Sequence, residues 1–245
     1  MTPREVLEHA RGERFADGRG RPLALEILPG LSDDEAHAFE QELGAPLPAE
    51  VADLLRFSRG FSLPPYEVSF VGSDAWGWDD AFPRAVPLAG NGSGDFWVVD
   101  VHPVSGAWGP VFFASHDPPV VFLQSPDLAA FVEAVLDTAR PDKESALDRA
   151  SGPLWEIWGS GGALISPDEA ASSGDDSLTR FAHSLPAGWQ VADLRDFREG
   201  AGFSWGHNGP DTGVRRDPAG ERLFGVEAPR PCPPRRGLWQ RLFGR

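Results

Sequence analysis

The sequence predicts an α+β fold: a helical hairpin and a C-terminal helix packed on a mainly antiparallel sheet, with a smaller α+β C-terminal extension. Three observations predict it. Two short capped helices read across about 32–59, strand-like runs follow between 66 and 123, and an amphipathic helix closes the series at 125–139. Helices, then strands, then a helix is the order of an α+β domain, and it lacks the strand–helix alternation of a parallel sheet.

Residues 3–15 suit a short helix with Val6 and Leu7 as its apolar contacts, and Gly18 to Pro22 reads as a loop. Ser32 is a good N-cap, and Glu35 three residues on makes a capping box. Asp33, Asp34 and Glu35 put negative charge at the positive end of the helix dipole. Ala36, Phe39 and Leu43 form one apolar stripe, and Gly44 can end the helix in a left-handed conformation. Pro46 and Pro48 block its continuation. Pro48 suits the first position of a second helix that buries Val51, Leu54 and Leu55 and ends at Gly60.

Tyr66 to Val71 alternates and reads as a strand, and Ala85 to Ala89, with its proline, as a short edge strand. Gly90-Asn-Gly-Ser-Gly94 is a turn into Phe96–Val101, the strongest strand of the chain. Val111–Ala114 and Pro119–Leu123 are two more. Ser125 as cap and Pro126 at the first position open a helix whose stripe is Leu128, Phe131, Val132, Val135 and Leu136. Phe39, Leu43, Leu54 and Leu55 should pack with Phe131 and Val135 against the sheet that contains Val98.

Beyond Pro141 the pattern weakens. Residues 166–178, rich in Ser, Asp, Ala and Gly, read as a loop. Trp189–Leu194 and Arg222–Val226 read as strands, with Gly202–Gly206 and Gly213–Arg216 between them. They form either a small second unit or an extension of the first sheet. Pro229 to Pro234 reads as a linker, and 237–245 as a basic amphipathic tail. Such a tail suits a docking segment for a partner or membrane surface, or simple fraying. The expected division is 1–140, 141–228 and 229–245.

Charge narrows the function. The formal net charge is −15, and it is uneven. Residues 26–140 hold 18 acidic against 4 basic side chains, a net of −14, whereas 151–245 hold 12 against 11. The acidic half disfavours nucleic acid, whose phosphates need Lys/Arg patches. It suits a basic protein partner or plain solubility. The single cysteine, Cys232, excludes an intrachain disulfide and a cysteine metal cluster. No window reaches the ~20 apolar residues of a membrane span, and the charged N-terminus lacks a signal-peptide core. The expected location is the cytoplasm.

No catalytic constellation stands out, and no cofactor is implied. Gly90–Gly94 leads into a strand, whereas phosphate cradles lead from a strand into a helix. His102 and His116, with Asp100 and Asp117 beside them, are either a metal-binding cluster or surface loop residues. No histidine pair has zinc-helix spacing. Trp76-Gly-Trp78-Asp-Asp80 sets two aromatics beside two carboxylates. The two rings either anchor a basic partner or pack beneath the sheet.

The order Leu-Pro-Gly-Leu-Ser-Asp-Asp-Glu over 28–35, Leu-Gly-x-Pro-Leu-Pro over 43–48, and a helix ending Arg-Gly-Phe at 59–61 resembles the SUKH superfamily. This group includes the yeast Smi/Knr cell-wall assembly regulators and many bacterial immunity proteins. The turn at Gly90–Gly94 entering Phe96, the strand Val111–Asp117 and the stretch Phe122–Leu136 resemble the family's later elements, so the likeness runs over about 26–138. Leu63-Pro-Pro65 departs from the family's usual aromatic-rich continuation, and 140–245 lie outside it. The resemblance implies a noncatalytic binding module, typically one that neutralises a polymorphic toxin of nuclease or deaminase class. The alternative is a regulatory or scaffold protein with an endogenous partner. Asp74, Trp76, Trp78, Asp79, Asp80 and Asp95 are the expected contacts for a basic toxin domain.

Overall fold

The computed structural model describes residues 1–72, 77–149 and 151–230. Helix α1 (Pro3–Ala10) is capped by Thr2 and buries Val6 and Leu7. Two short strands, β1 (Phe15–Ala16) and β2 (Pro22–Leu23), pair with each other. Strand β3 (Glu26–Ile27) precedes helix α2 (Asp33–Leu43). Both halves of the Ser32–Glu35 capping box are formed, and Gly44 closes the helix at φ 66°.

Helix α3 (Ala49–Phe57) corrects the expectation at both ends. Pro48 stands at the cap, not the first helical position, and the last cap is Ser58. Gly60 instead opens β4 (Gly60–Leu63), packed so tightly on β5 (Tyr66–Ser69) that a Cβ would sit 2.1 Å from the Val68 carbonyl oxygen. Strands β3, β4 and β5 make a three-stranded sheet.

The central sheet follows: β6 (Ala85–Gly90), β7 (Phe96–Val101), β8 (Trp108–His116) and β9 (Pro119–Ser125). Helix α4 (Leu128–Asp137) is capped by Asp127, whose carboxylate accepts from the Ala130 amide at 2.8 Å. Ser125 is not the cap, because it is still the buried last residue of β9, paired with Val111.

After a 3-10 turn at Ala146–Arg149 come α5 (Ser151–Ser160), β10 (Leu164–Ile165), α6 (Pro167–Ala171) and α7 (Asp176–Ser184). The loop expected over 166–178 is therefore largely helical. Ser166 and Glu169 form a third capping box, and Asp175 caps α7. The Ser and Asp residues that suggested a loop are the caps themselves. The chain continues through β11 (Trp189–Asp193), β12 (Gly202–Ser204), β13 (Val214–Arg216) and β14 (Leu223–Glu227).

Strand β12 joins the central sheet beside β9, giving the all-antiparallel order β12-β9-β8-β7-β6. A Cβ on Gly202 would lie 2.0 Å from the Val121 carbonyl oxygen, so only glycine lets these backbones meet. The other late strands form a separate sheet in the order β10-β11-β14-β13.

Layering explains why the central strands are unbroken apolar runs, since both faces are covered. One face presents Trp97, Val99, Phe113 and Phe122 to Leu54, Leu55, Phe131 and Val135 of the helices. Leu43 is buried in the same core, and Phe39 packs at its margin. Val98 points to the opposite face, where it joins Phe112, Val121, Leu123 and Phe203 of β12 against Phe82 and Phe224. The helical stripe thus packs on the expected sheet, but against the neighbours of Val98 and not Val98 itself.

Candidate functional site

Three exposed carboxylates, Glu35, Glu42 and Asp79, meet where α2 faces the segment leading into β6. A groove of ≈ 710 Å³ lies between them. Glu35, Phe39 and Glu42 line it from the helix, and Asp79, Phe82 and Pro87 from the other wall. The helical periodicity that buries Leu43 leaves Glu35 and Glu42 exposed on its rim. The Glu35 carboxyl is held below its usual range, first by the Ser32 backbone amide and then by the Ser32 hydroxyl. It is an anion committed to the helix cap.

One cation stands in the groove, and it is already engaged. Arg84 donates through Nη1 to the Pro103 carbonyl. Its guanidinium also lies against Gly44, at the negative end of α2.

A second concavity of ≈ 360 Å³ adjoins the groove and shares Asp79 with it. Its floor is aromatic. The Trp78 ring meets Trp205 edge-on at 4.4 Å and stacks over Phe82 at 6.3 Å. Asp79 and Asp80 stand exposed above it, and Pro210, Thr212 and Val214 close the far side. The Trp205 Nε1 donor is buried, with no hydrogen-bond partner among the described residues.

Of the six expected contacts, the structure brings Trp78, Asp79 and Asp80 together. Asp74 and Trp76 lie outside the described residues. Asp95 is elsewhere, in the turn at the far end of β6, and is 8% exposed. Its carboxylate accepts from the Asn91 side-chain amide at 2.7 Å and the His116 backbone amide at 3.0 Å, and its Oδ1 lies 2.9 Å from His116 Nδ1. Trp205, Pro210 and Thr212 were missed as wall residues. Only the aromatic within Gly202–Gly206 signalled them, and nothing in the sequence tied that segment to residues 77–80.

The other candidates resolve into packing. Asn91 Oδ1 accepts from the Ser93 amide at 2.8 Å and the Asp95 amide at 3.2 Å, so Gly90–Gly94 is a hairpin turn. His102 and His116 end antiparallel neighbours and so sit at opposite ends of the β7–β8 pair. That separation overturns the reading of them as one cluster. Among the described residues no group of three or more His, Cys, Asp or Glu is placed to hold a metal ion. The Ser204 hydroxyl lies 3.0 Å from His207 Nε2, but Ser204 is wholly buried and the imidazole lies flat on Trp158 at 4.1 Å. No described helix is long and apolar enough to cross a membrane.

Behind the acidic surface, Asp100 of β7 and Arg216 of β13 form a buried ion pair at 2.8 Å. It ties the central sheet to the later one. Burial also lowers the pKa of nearby Arg222.

Residues 30–134 match the model of the SMI1 / KNR4 family (SUKH-1). The match runs from just before α2 into α4, so it includes Asp79 and Asp80 and leaves out the Trp205 wall. No curated protein and no solved structure matches the chain.

Proposed function

Residues 30–134 belong to the SUKH superfamily, and from that premise we propose that the protein is a noncatalytic immunity protein. It neutralises a polymorphic toxin, of nuclease or deaminase class, by binding a basic domain of it. The observation that carries this reading is the concentration of charge, a net of −14 over residues 26–140. The exposed carboxylates of Glu42, Asp79 and Asp80 border the two adjoining concavities. A concave acidic surface with aromatic and aliphatic walls suits a basic protein: the charges steer the encounter, and the apolar walls slow escape. Among the expected contacts, Asp79 and Asp80 carry the steering role. Asp95 serves the turn that positions β7.

The test starts from the genes beside its own, where a toxin gene is expected, and measures binding of the purified protein to that toxin's basic domain. Saturable binding, with loss of the toxin's activity and a slower on-rate in Asp79→Lys/Asp80→Lys, supports the reading. A neighbouring toxin that neither binds nor loses activity would sink it and favour a scaffold with an endogenous partner.

A further inference from the structure

We propose that the chain supplies its own occupant for the acidic concavity: the basic segment 235–245 docks over Asp79, Asp80 and the Trp78–Trp205 floor and competes there with an outside partner. Two observations converge on this contact.

The first is where the described chain stops. The Arg230 amide donates to Asn208 Oδ1 at 2.8 Å, and the Asn208 amide donates to Thr212 Oγ1 at 3.1 Å. Thr212 is a wall of the concavity that Asp79 and Asp80 overlook. Arg230, the last described residue, is therefore tied through Asn208 to a wall of the acidic site. The 15 residues 231–245 reach about 50 Å if extended and about 20 Å as a flexible coil. Either length covers the site and the groove beyond it.

The second is chemistry. The segment Arg235-Arg-Gly-Leu-Trp-Gln-Arg-Leu-Phe-Gly-Arg245 has four arginines and no carboxylate side chain, interleaved with Leu238, Trp239, Leu242 and Phe243. The concavity offers the complement: exposed carboxylates above an aromatic floor. Guanidinium groups suit both, pairing with carboxylates and stacking on aromatic rings.

Tethering makes a weak contact sufficient. A short linker presents the segment at an effective concentration of the order of 1 mM, so an intrinsic Kd near ~0.1 mM leaves about nine-tenths of molecules occupied. An outside partner would then bind about tenfold more weakly than to a chain lacking the segment. That consequence rests on the proposed partner-binding function. The docking does not, so the two can fail separately.

The test uses the free full-length chain. Cys232→Ser combined with Gln240→Cys carries a single nitroxide, and paramagnetic broadening of backbone amides is read by NMR. The expected result is broadening centred on residues 77–81 and 205–214 at low salt. It should be lost in 0.5 M NaCl and in Asp79→Lys/Asp80→Lys. Uniform or absent broadening overturns the proposal. So does broadening seen only when labelled chain is mixed with isotope-labelled, nitroxide-free chain, which assigns the surface to a second copy. Immobilisation of the nitroxide by anionic lipid vesicles without cleft broadening would also overturn it.

Discussion

The two faces of the central sheet are built differently. The helix-facing side packs Trp97, Val99 and Phe122 against amphipathic helices near in sequence to these strands. The other side packs Val98, Phe112, Leu123 and Phe203 of edge strand β12 against the separate late sheet, through Phe224. The family match runs from residue 30 to 134, so it contains most of the helix-side partners and, of the second set, Phe82 but none of the strands beyond residue 190. The sheet's second face is thus covered by the chain's own later elements. It is not a free surface for a partner. The acidic groove lies at the edge of the sheet, where α2 and residues 77–87 meet.

The largest expected effect tests whether the two faces share one core. The Phe224 ring lies 5.0 Å from Phe203, 5.7 Å from Phe82 and 6.1 Å from Phe112. Phe224→Ala should cost about 3–5 kcal/mol, read by urea denaturation. Far-UV circular dichroism and tryptophan fluorescence should report a single shared transition. Two separated transitions would show that the faces unfold independently.

Leu55 is fully buried on the helix side. Leu55→Ala should cost about 2–5 kcal/mol and leave that transition single. A smaller loss follows from the Asp100–Arg216 pair. Asp100→Asn strands a buried guanidinium but keeps an acceptor for it, so roughly 2–3 kcal/mol is expected, below the ~3–5 of removing a partner outright. No loss in thermal denaturation would mean that the pair does not fasten the two sheets.

Acid should weaken both regions together. Hydrogen bonds from the Ser32 and Ser166 amides depress the pKa values of Glu35 and Glu169. The Arg195 side chain depresses that of Asp175, followed by the Leu178 amide. A carboxylate with a lowered folded-state pKa contributes stability above the ordinary carboxylate range of about 4, lost as pH falls through the folded value. Melting temperature should therefore fall below about pH 4. Glu35→Gln and Glu169→Gln, which remove the titrating groups, should each flatten that limb.

Much of the first region was legible because its signals are local. The Ser32–Glu35 box, the glycine at 44 and the stripe ending at Leu136 each sit within one element. The second face was harder to read because its partners are three to five residues long and separated by loops. Their meaning depends on register: Gly202 opposite Phe122, and Phe224 opposite Ala192 and Arg216. The Ser166–Glu169 box had the same spacing as the first, yet the surrounding small polar residues disguised it. Trp78 read equally well as anchor or core. Its contact with Trp205, more than a hundred residues away, makes it the floor of a site and part of the packing at once.

The smallest effect on stability belongs to the acidic rim. Asp79 and Asp80 are exposed, so Asp79→Lys/Asp80→Lys should change unfolding free energy by no more than about 0.5 kcal/mol. The same change should have a large effect on association. The most direct measurement is therefore the on-rate of the proposed toxin-domain partner against ionic strength, for the native chain and for that variant. The account predicts a fall of ~10-fold or more for the native chain between about 0.05 and 0.5 M salt, with a slower and flatter profile in the variant. An on-rate indifferent to both salt and the Asp79/Asp80 reversal would contradict it.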